Sequence, residues 1–301
     1  MFARPQAAYF DSRAGSTTHA AGRIFFAGSW QQEQQVADPT VLISNSGAVR
    51  TLTLNRPQAL NSFTGQMHRE LMAALEAAAA DAQVRCLVLT GSGRGFCAGQ
   101  DLSDPLAAPP AKGEPPKDLS VLIGEHFNPL ALRLRTMPMP VIAAVNGVAA
   151  GAGANIALGC DLVLAGRSAS FVQAFAKIAL MPDTGGTWLL PRLVGRARAL
   201  GLAMLGDKLT AEDAERVGLI WKCVDDAALQ AEVGSLALRL AAMPTRALVA
   251  TREALDAAGS LSYADALAAE ASAQRDLGFA PDYTEGVQAF FDKRAPRFTD
   301  R

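Results

Sequence analysis

The chain has 301 residues, with 28 basic and 29 acidic side chains and a formal net charge of −1, so nothing in its charge marks it for nucleic acid or an anionic membrane. Half of its residues are hydrophobic, enough for a sizeable core. The four cysteines (Cys86, Cys97, Cys160, Cys223) form no C-x-x-C and the three histidines (His19, His68, His126) have no candidate ligand beside them in sequence, which reads as reduced thiols and no metal site.

Residues 1–36 are polar and carry Arg4, Arg13, Arg23 and Asp11; they read as a disordered extension, a bias that an organelle transit peptide shares. From residue 37 onward β-like runs alternate with helix-like ones. "VLIS" and "VRTLTL" precede the amphipathic "TGQMHRELMAALEAAAADA"; "CLVLTG", "PVIAAVNG" with "AGAGANIALGC", "DLVLAG" and "ASFVQA" follow. That order predicts an α/β domain over 37–195 with much parallel pairing. In its first helix Met67, Leu71, Met72 and Leu75 fall at helical spacing behind Thr64 as N-cap, and His68 reads as a surface or edge residue. Five prolines and alternating charge make 103–120 a long surface loop. The apolar stretch 141–158 is interrupted by Asn146, Asn155 and glycines, unlike a bilayer span. From about Pro191 the pattern turns helical: "RARALGLAML", then "TAEDAERVG" with Thr210 and Asp213 in capping-box spacing, then three alanine-rich helices. Residues 196–301 are therefore read as a helical C-terminal region.

Two glycine-rich stretches follow strands. "GSGRGFCAGQDL" is not a dinucleotide fingerprint, because Phe96 stands where the third glycine belongs. "NGVAAGAGANIALGCD" places small residues where a strand gives way to a helix, which either aims backbone N–H groups at a ligand oxygen or permits close helix packing. Asp183, in "MPDTGG", reads from its neighbours as a turn residue capping the following glycines.

Together "RPQALNSFT", "GRGFCAGQDL", "VIAAVNGVAAGAGANIALGCD", "MPDTGGTWLLPRLVG", "LTAEDAERVGLI" and "GVQAFFDKRAPRF" resemble, in order and spacing, the crotonase (enoyl-CoA hydratase/isomerase) family over residues 38–301. The resemblance implies an α/β spiral of ββα units with a helical C-terminal trimerisation region, in a homotrimer or dimer of trimers; the reduced thiols and the lack of a bilayer-like span read as a soluble, cytoplasmic chain. It implies an acyl-CoA substrate with no cofactor and no metal. It also implies a thioester carbonyl held between two backbone N–H donors, mapped onto Ala98 and Ala152, the second departing from the family's usual glycine. Ala59, Leu60, Gly99, Gln100 and Asp101 map to the strip along the coenzyme, and Phe290 with Lys293 to the terminal helix that reaches its nucleotide end.

Two carboxylates serve the family's hydratases, and their positions here are Asn155 and Phe175, which cannot exchange protons at neutral pH. Asp183 takes a third position that several isomerase and dehalogenase members of the family fill with a catalytic Asp, and burial under the apolar "IALM" run (178–181) would raise its pKa. One shuttle carboxylate suits isomerisation: a ring 1,2-epoxide of phenylacetyl-CoA to an oxepin, or a β,γ-enoyl double bond to α,β. Phe175 and Trp188 are candidates for an aromatic acyl pocket. Hydration, and a non-catalytic acyl-CoA-binding subunit, stand as alternatives.

Overall fold

The computed structural model describes residues 38–301, and the expected disordered extension over 1–36 lies outside the described residues. In chain order the elements are β1 (Val41–Ser46), β2 (Val49–Leu54), α1 (Gly65–Ala80), β3 (Cys86–Gly91), β4 (Gly95–Cys97), α2 (Leu119–Leu122), α3 (Asn128–Arg135), β5 (Val141–Val145) and β6 (Val148–Ala150). They continue with α4 (Ala152–Leu158), β7 (Leu162–Gly166), β8 (Ser170–Val172), α5 (Gly186–Leu205), β9 (Lys208–Thr210), α6 (Ala211–Arg216) and β10 (Lys222–Val224). Four helices close the chain: α7 (Leu229–Ala241), α8 (Thr245–Ala258), α9 (Tyr263–Gly278) and α10 (Pro281–Phe291).

Strands alternate between two sheets, a six-stranded one in the order β1-β2-β3-β5-β7-β10 and a four-stranded one in the order β4-β6-β8-β9. The pairs β3/β4, β5/β6 and β7/β8 each place one strand in each sheet before helical structure leads back, which is the expected spiral of ββα units. Pairing is parallel except β1 with β2 and β8 with β9. β3 is buried on both faces: Leu87 and Leu89 belong to the main core with Met67, Leu71 and Leu75 of α1, while Cys86 and Val88 belong to a second core with Leu229, Val233 and Ala237 of α7. The strand's period of two thus selects which core each residue joins.

Several expectations are corrected. His68 is buried rather than at a surface, because it shares the inward face of α1 with Leu71 and Leu75. β9 and β10 lie beyond residue 195 and complete the two sheets, so the α/β core draws on the segment read as helical. α5 begins at Gly186, before Pro191, and is kinked at Gly195. The terminal helices number four, the last starting with Pro281 in its first turn, where its missing N–H costs nothing. The segment 103–118 is irregular and largely exposed as expected, although Leu106 and Ala107 rest against the core. Thr64 and Thr210 cap α1 and α6, accepting from Met67 N and Asp213 N. No single helix among the described residues is long and apolar enough to cross a membrane.

Candidate active site

The site is built around the first residue of α4. After β6 the chain turns at Gly151 (φ +53°, ψ −128°), a conformation that side chains other than glycine avoid, and Gly151 N donates to Val172 O of β8 at 2.9 Å. Ala152 then starts the helix, where a backbone N–H has no intrahelical acceptor. α4 lies flush on β4: a Cβ on Gly153 would stand 2.4 Å from Cys97 O. The close-packing reading of this small-residue stretch holds, and that packing places the Ala152 N–H at the start of the helix.

Opposite it runs the segment after β4, where a Cβ on Gly99 would lie 3.5 Å from Ala152 N. Phe63 brackets this segment in one parallel bridge, its N–H donating to Gly99 O at 2.7 Å and its carbonyl accepting from Asp101 N at 2.9 Å. That pattern turns the N–H of Gln100 away from Phe63 and leaves it without a protein acceptor among the described residues. Ala98, the expected donor, is corrected: its N–H donates to Leu60 O at 2.9 Å. The available pair is Gln100 N and Ala152 N.

The supporting turn is tied from below. Leu60 and Asn61 adopt left-handed conformations, and the buried Asn61 amide donates to Gly95 O at 2.8 Å. Asp101 accepts from Arg56 at 2.9 Å and from the Ser103 hydroxyl at 2.6 Å, and these partners hold its pKa below the usual carboxylate range. Asp101 therefore joins the Ala59–Leu60 turn to the donor segment rather than presenting a free carboxylate to a ligand.

Asp183 enters through the left-handed turn at Thr184 and Gly185 that precedes α5. Its backbone carbonyl, not its carboxylate, closes that turn, accepting from Gly186 N and from Asn155 Nδ2, each at 2.8 Å. The carboxylate accepts the Thr184 hydroxyl at 2.7 Å, so a turn-capping role for it is not what the geometry shows. Burial pushes its pKa above the ordinary carboxylate range, opposed by the Thr184 bond. The expected cover is corrected, because Ile178, Leu180 and Met181 are exposed in the single chain.

The sign of that shift carries a stability prediction. A carboxyl whose folded pKa is raised favours the folded state below its unfolded pKa, and the contribution is lost as pH rises to the folded value. Asp183→Asn should therefore have a Tm at neutral pH equal to or above wild type, with the difference shrinking in acid. Calorimetry across pH checks this; a mutant less stable at neutral pH than wild type by more than it is in acid would show the ionised carboxylate stabilising the fold.

Asn155, at one of the hydratase carboxylate positions, braces the Asp183 turn. It is 1% exposed, its Nδ2 bound to Asp183 O and its Oδ1 accepting from Gln173 Nε2 at 2.8 Å. Phe175 is buried, with its Cζ 3.8 Å from where a Cβ on Gly151 would stand, so it lies over the start of α4. Trp188 does not join it: its ring stacks on Arg192 at 3.9 Å and Arg135 at 4.8 Å, beside a cavity of about 440 Å³ that Leu132, Leu134 and Thr184 also line. Phe290 is exposed and with Phe291 lines a separate cavity of about 830 Å³ between the terminal helices, none of whose walls belongs to α4 or to the Asp183 turn; Lys293 follows two residues later with φ +52°. Among the described residues no three His, Cys, Asp or Glu side chains stand together as a metal site. Sequence reasoning missed the Gln100 N–H as a donor and Thr184 and Gln173 as supports; backbone groups leave no mark in side-chain identity.

Residues 44–301 match the enoyl-CoA hydratase/isomerase family. A 1,2-epoxyphenylacetyl-CoA isomerase of Escherichia coli is 51% identical over 253 residues, 84% of this chain and 95% of its own length. A Rhodobacter capsulatus protein named probable enoyl-CoA hydratase is 46% identical over 262 residues, covering 87% of this chain and 98% of that one. The solved structure of an enoyl-CoA hydratase from Bacillus anthracis is similar with a TM-score of 0.81 at 29% identity, covering 87% of this chain and 100% of the other.

Proposed function

Because the chain belongs to the enoyl-CoA hydratase/isomerase family, we propose that it is an acyl-CoA isomerase that converts ring-1,2-epoxyphenylacetyl-CoA to oxepin-CoA, shifts β,γ-enoyl-CoA double bonds to α,β, or does both. The observation that carries this reading is the desolvated carboxylate of Asp183, with the amide of Asn155 already engaged and a phenyl ring at Phe175 where the hydratases of the family carry their two carboxylates. In the double-bond shift, the Asp183 carboxylate takes a proton from the carbon next to the thioester carbonyl. The electron pair moves into a dienolate whose oxygen sits between Gln100 N–H and Ala152 N–H, and the now neutral Asp183 returns the proton to the γ carbon. Nothing is added and nothing leaves, so no cofactor is required. In the epoxide, the ring carbon bearing the side chain is β to the same carbonyl, so the same enolate borders the three-membered ring that rearranges to the oxepin.

The upward shift that burial gives the Asp183 pKa suits this cycle, because a more basic carboxylate takes the proton more readily and holds it better between the two transfers. Ala59, Leu60 and Gly99 would pass along the coenzyme. Lys293 and Phe290 would meet its nucleotide end from a neighbouring copy in a cytoplasmic homotrimer or dimer of trimers; the exposed Phe279, Phe290 and Phe291 support such an assembly. The test is a panel of acyl-CoA thioesters followed by mass and ultraviolet absorption. Conversion of a β,γ-enoyl-CoA or the ring epoxide without mass change is expected. A gain of one water on crotonyl-CoA as the main reaction would make the enzyme a hydratase, and binding without any conversion would leave a non-catalytic acyl-CoA-binding subunit.

A further inference from the structure

His68 is a buried polar group that this chemistry leaves unused. It is 4% exposed, its ring centroid 4.7 Å from that of Phe63, 4.5 Å from Phe127 and 5.1 Å from His126. A π-helical turn between α2 and α3, Ile123–Phe127, presents the last two, and such insertions are frequent at functional sites. Nε2 stands 3.2 Å from Gln100 Oε1, while Nδ1 is buried with no partner. Desolvation lowers the pKa of His68 to about 4, so the ring is neutral in ordinary buffers. With Oε1 able only to accept, the proton belongs on Nε2. A leucine or phenylalanine would fill the same surroundings without leaving a nitrogen unpaired, so packing alone does not account for a histidine here.

The same unit grips Gln100 twice. Phe63 brackets its peptide through Gly99 O and Asp101 N, and His68, packed against the Phe63 ring, holds its side chain. We propose that His68 is a positioning residue for the oxyanion pocket: acting through Gln100, it fixes the peptide whose N–H receives the thioester carbonyl. This inference rests on the isomerase reading above.

The test compares wild type, His68→Leu and His68→Gln with trans-3-hexenoyl-CoA as substrate and cinnamoyl-CoA as spectroscopic probe. His68→Leu should lower kcat about tenfold, part of the roughly hundredfold that a misplacement of about 1 Å can cost. KM should stay within about twofold, since the lost interaction acts in the transition state. His68→Gln, whose amide nitrogen reaches the place of Nε2, should restore most of the loss. Bound cinnamoyl-CoA should absorb at longer wavelength on wild type, as the two N–H dipoles polarise its carbonyl, less so on His68→Leu, and again fully on His68→Gln. Thermal unfolding checks the fold, and if His68→Leu does not fold, Gln100→Met removes the acceptor from the other side with the same expectations. A folded His68→Leu with wild-type kcat and wild-type spectral shift overturns the proposal, as does a folded His68→Gln no better than the leucine variant. A wild type that neither isomerises the hexenoyl thioester nor shifts the cinnamoyl band overturns the isomerase reading itself, and the positioning role with it.

Discussion

Asp183→Asn is expected to fold, to bind acyl-CoA and to lose about 10²–10⁴ of its turnover, the usual range for removing a general base, with the upper end favoured because one group performs both proton transfers. The substitution is isosteric, and the bonds that shape the turn survive it. The carbonyl of residue 183 still accepts from Gly186 N and Asn155 Nδ2, and an amide oxygen can still accept the Thr184 hydroxyl. What disappears is the proton acceptor. In deuterium oxide, wild type should exchange the protons next to the thioester carbonyl of an acyl-CoA that cannot isomerise, and the mutant should not. An Asn mutant that isomerises a β,γ-enoyl-CoA within about tenfold of wild type, the foot of the range for a working base, reduces Asp183 to a turn residue.

What a side chain can or cannot do chemically was legible in the sequence, and which groups pair with which was not. Asp183 and Phe175 declare what they can and cannot do by residue type. The donor pair does not, because any residue but proline carries an N–H and only pairing decides which one is free. A single bridge at Phe63 shifts the open donor from Ala98 to Gln100, and no spacing in "FCAGQDL" reveals it. The burial of His68 was legible in its spacing, since it precedes Leu71 by three residues and Leu75 by seven, which is the buried face of α1, and the polarity of an imidazole does not take it off that face. Asn155 needed partners at Gln173 and Asp183, far along the chain, before its role as a brace could be seen. The two late strands failed for a different reason: β9 and β10 have three residues each, too short for any period to show between helices.

Ala152→Pro should remove half of the oxyanion pocket while leaving the fold in place. Proline is tolerated at the first position of a helix, where its fixed φ suits the backbone and the N–H it lacks has no helical acceptor. Gly151 before it has ψ −128°, outside the α region that a following proline excludes. Gly153 and its contact with Cys97 are untouched, so the packing of α4 on β4 should persist. The chemistry should not, because the enolate oxygen then has only Gln100 N–H, and the ring atoms occupy the place of the second donor. Loss of one such donor costs about 10²–10³ in rate. Ala152→Gly keeps the N–H and should stay near wild type, which separates the donor from the side chain. A proline mutant that unfolds near the wild-type Tm yet keeps kcat within about threefold, less than about 1 kcal/mol of barrier, would show that the thioester carbonyl does not bind at the start of α4.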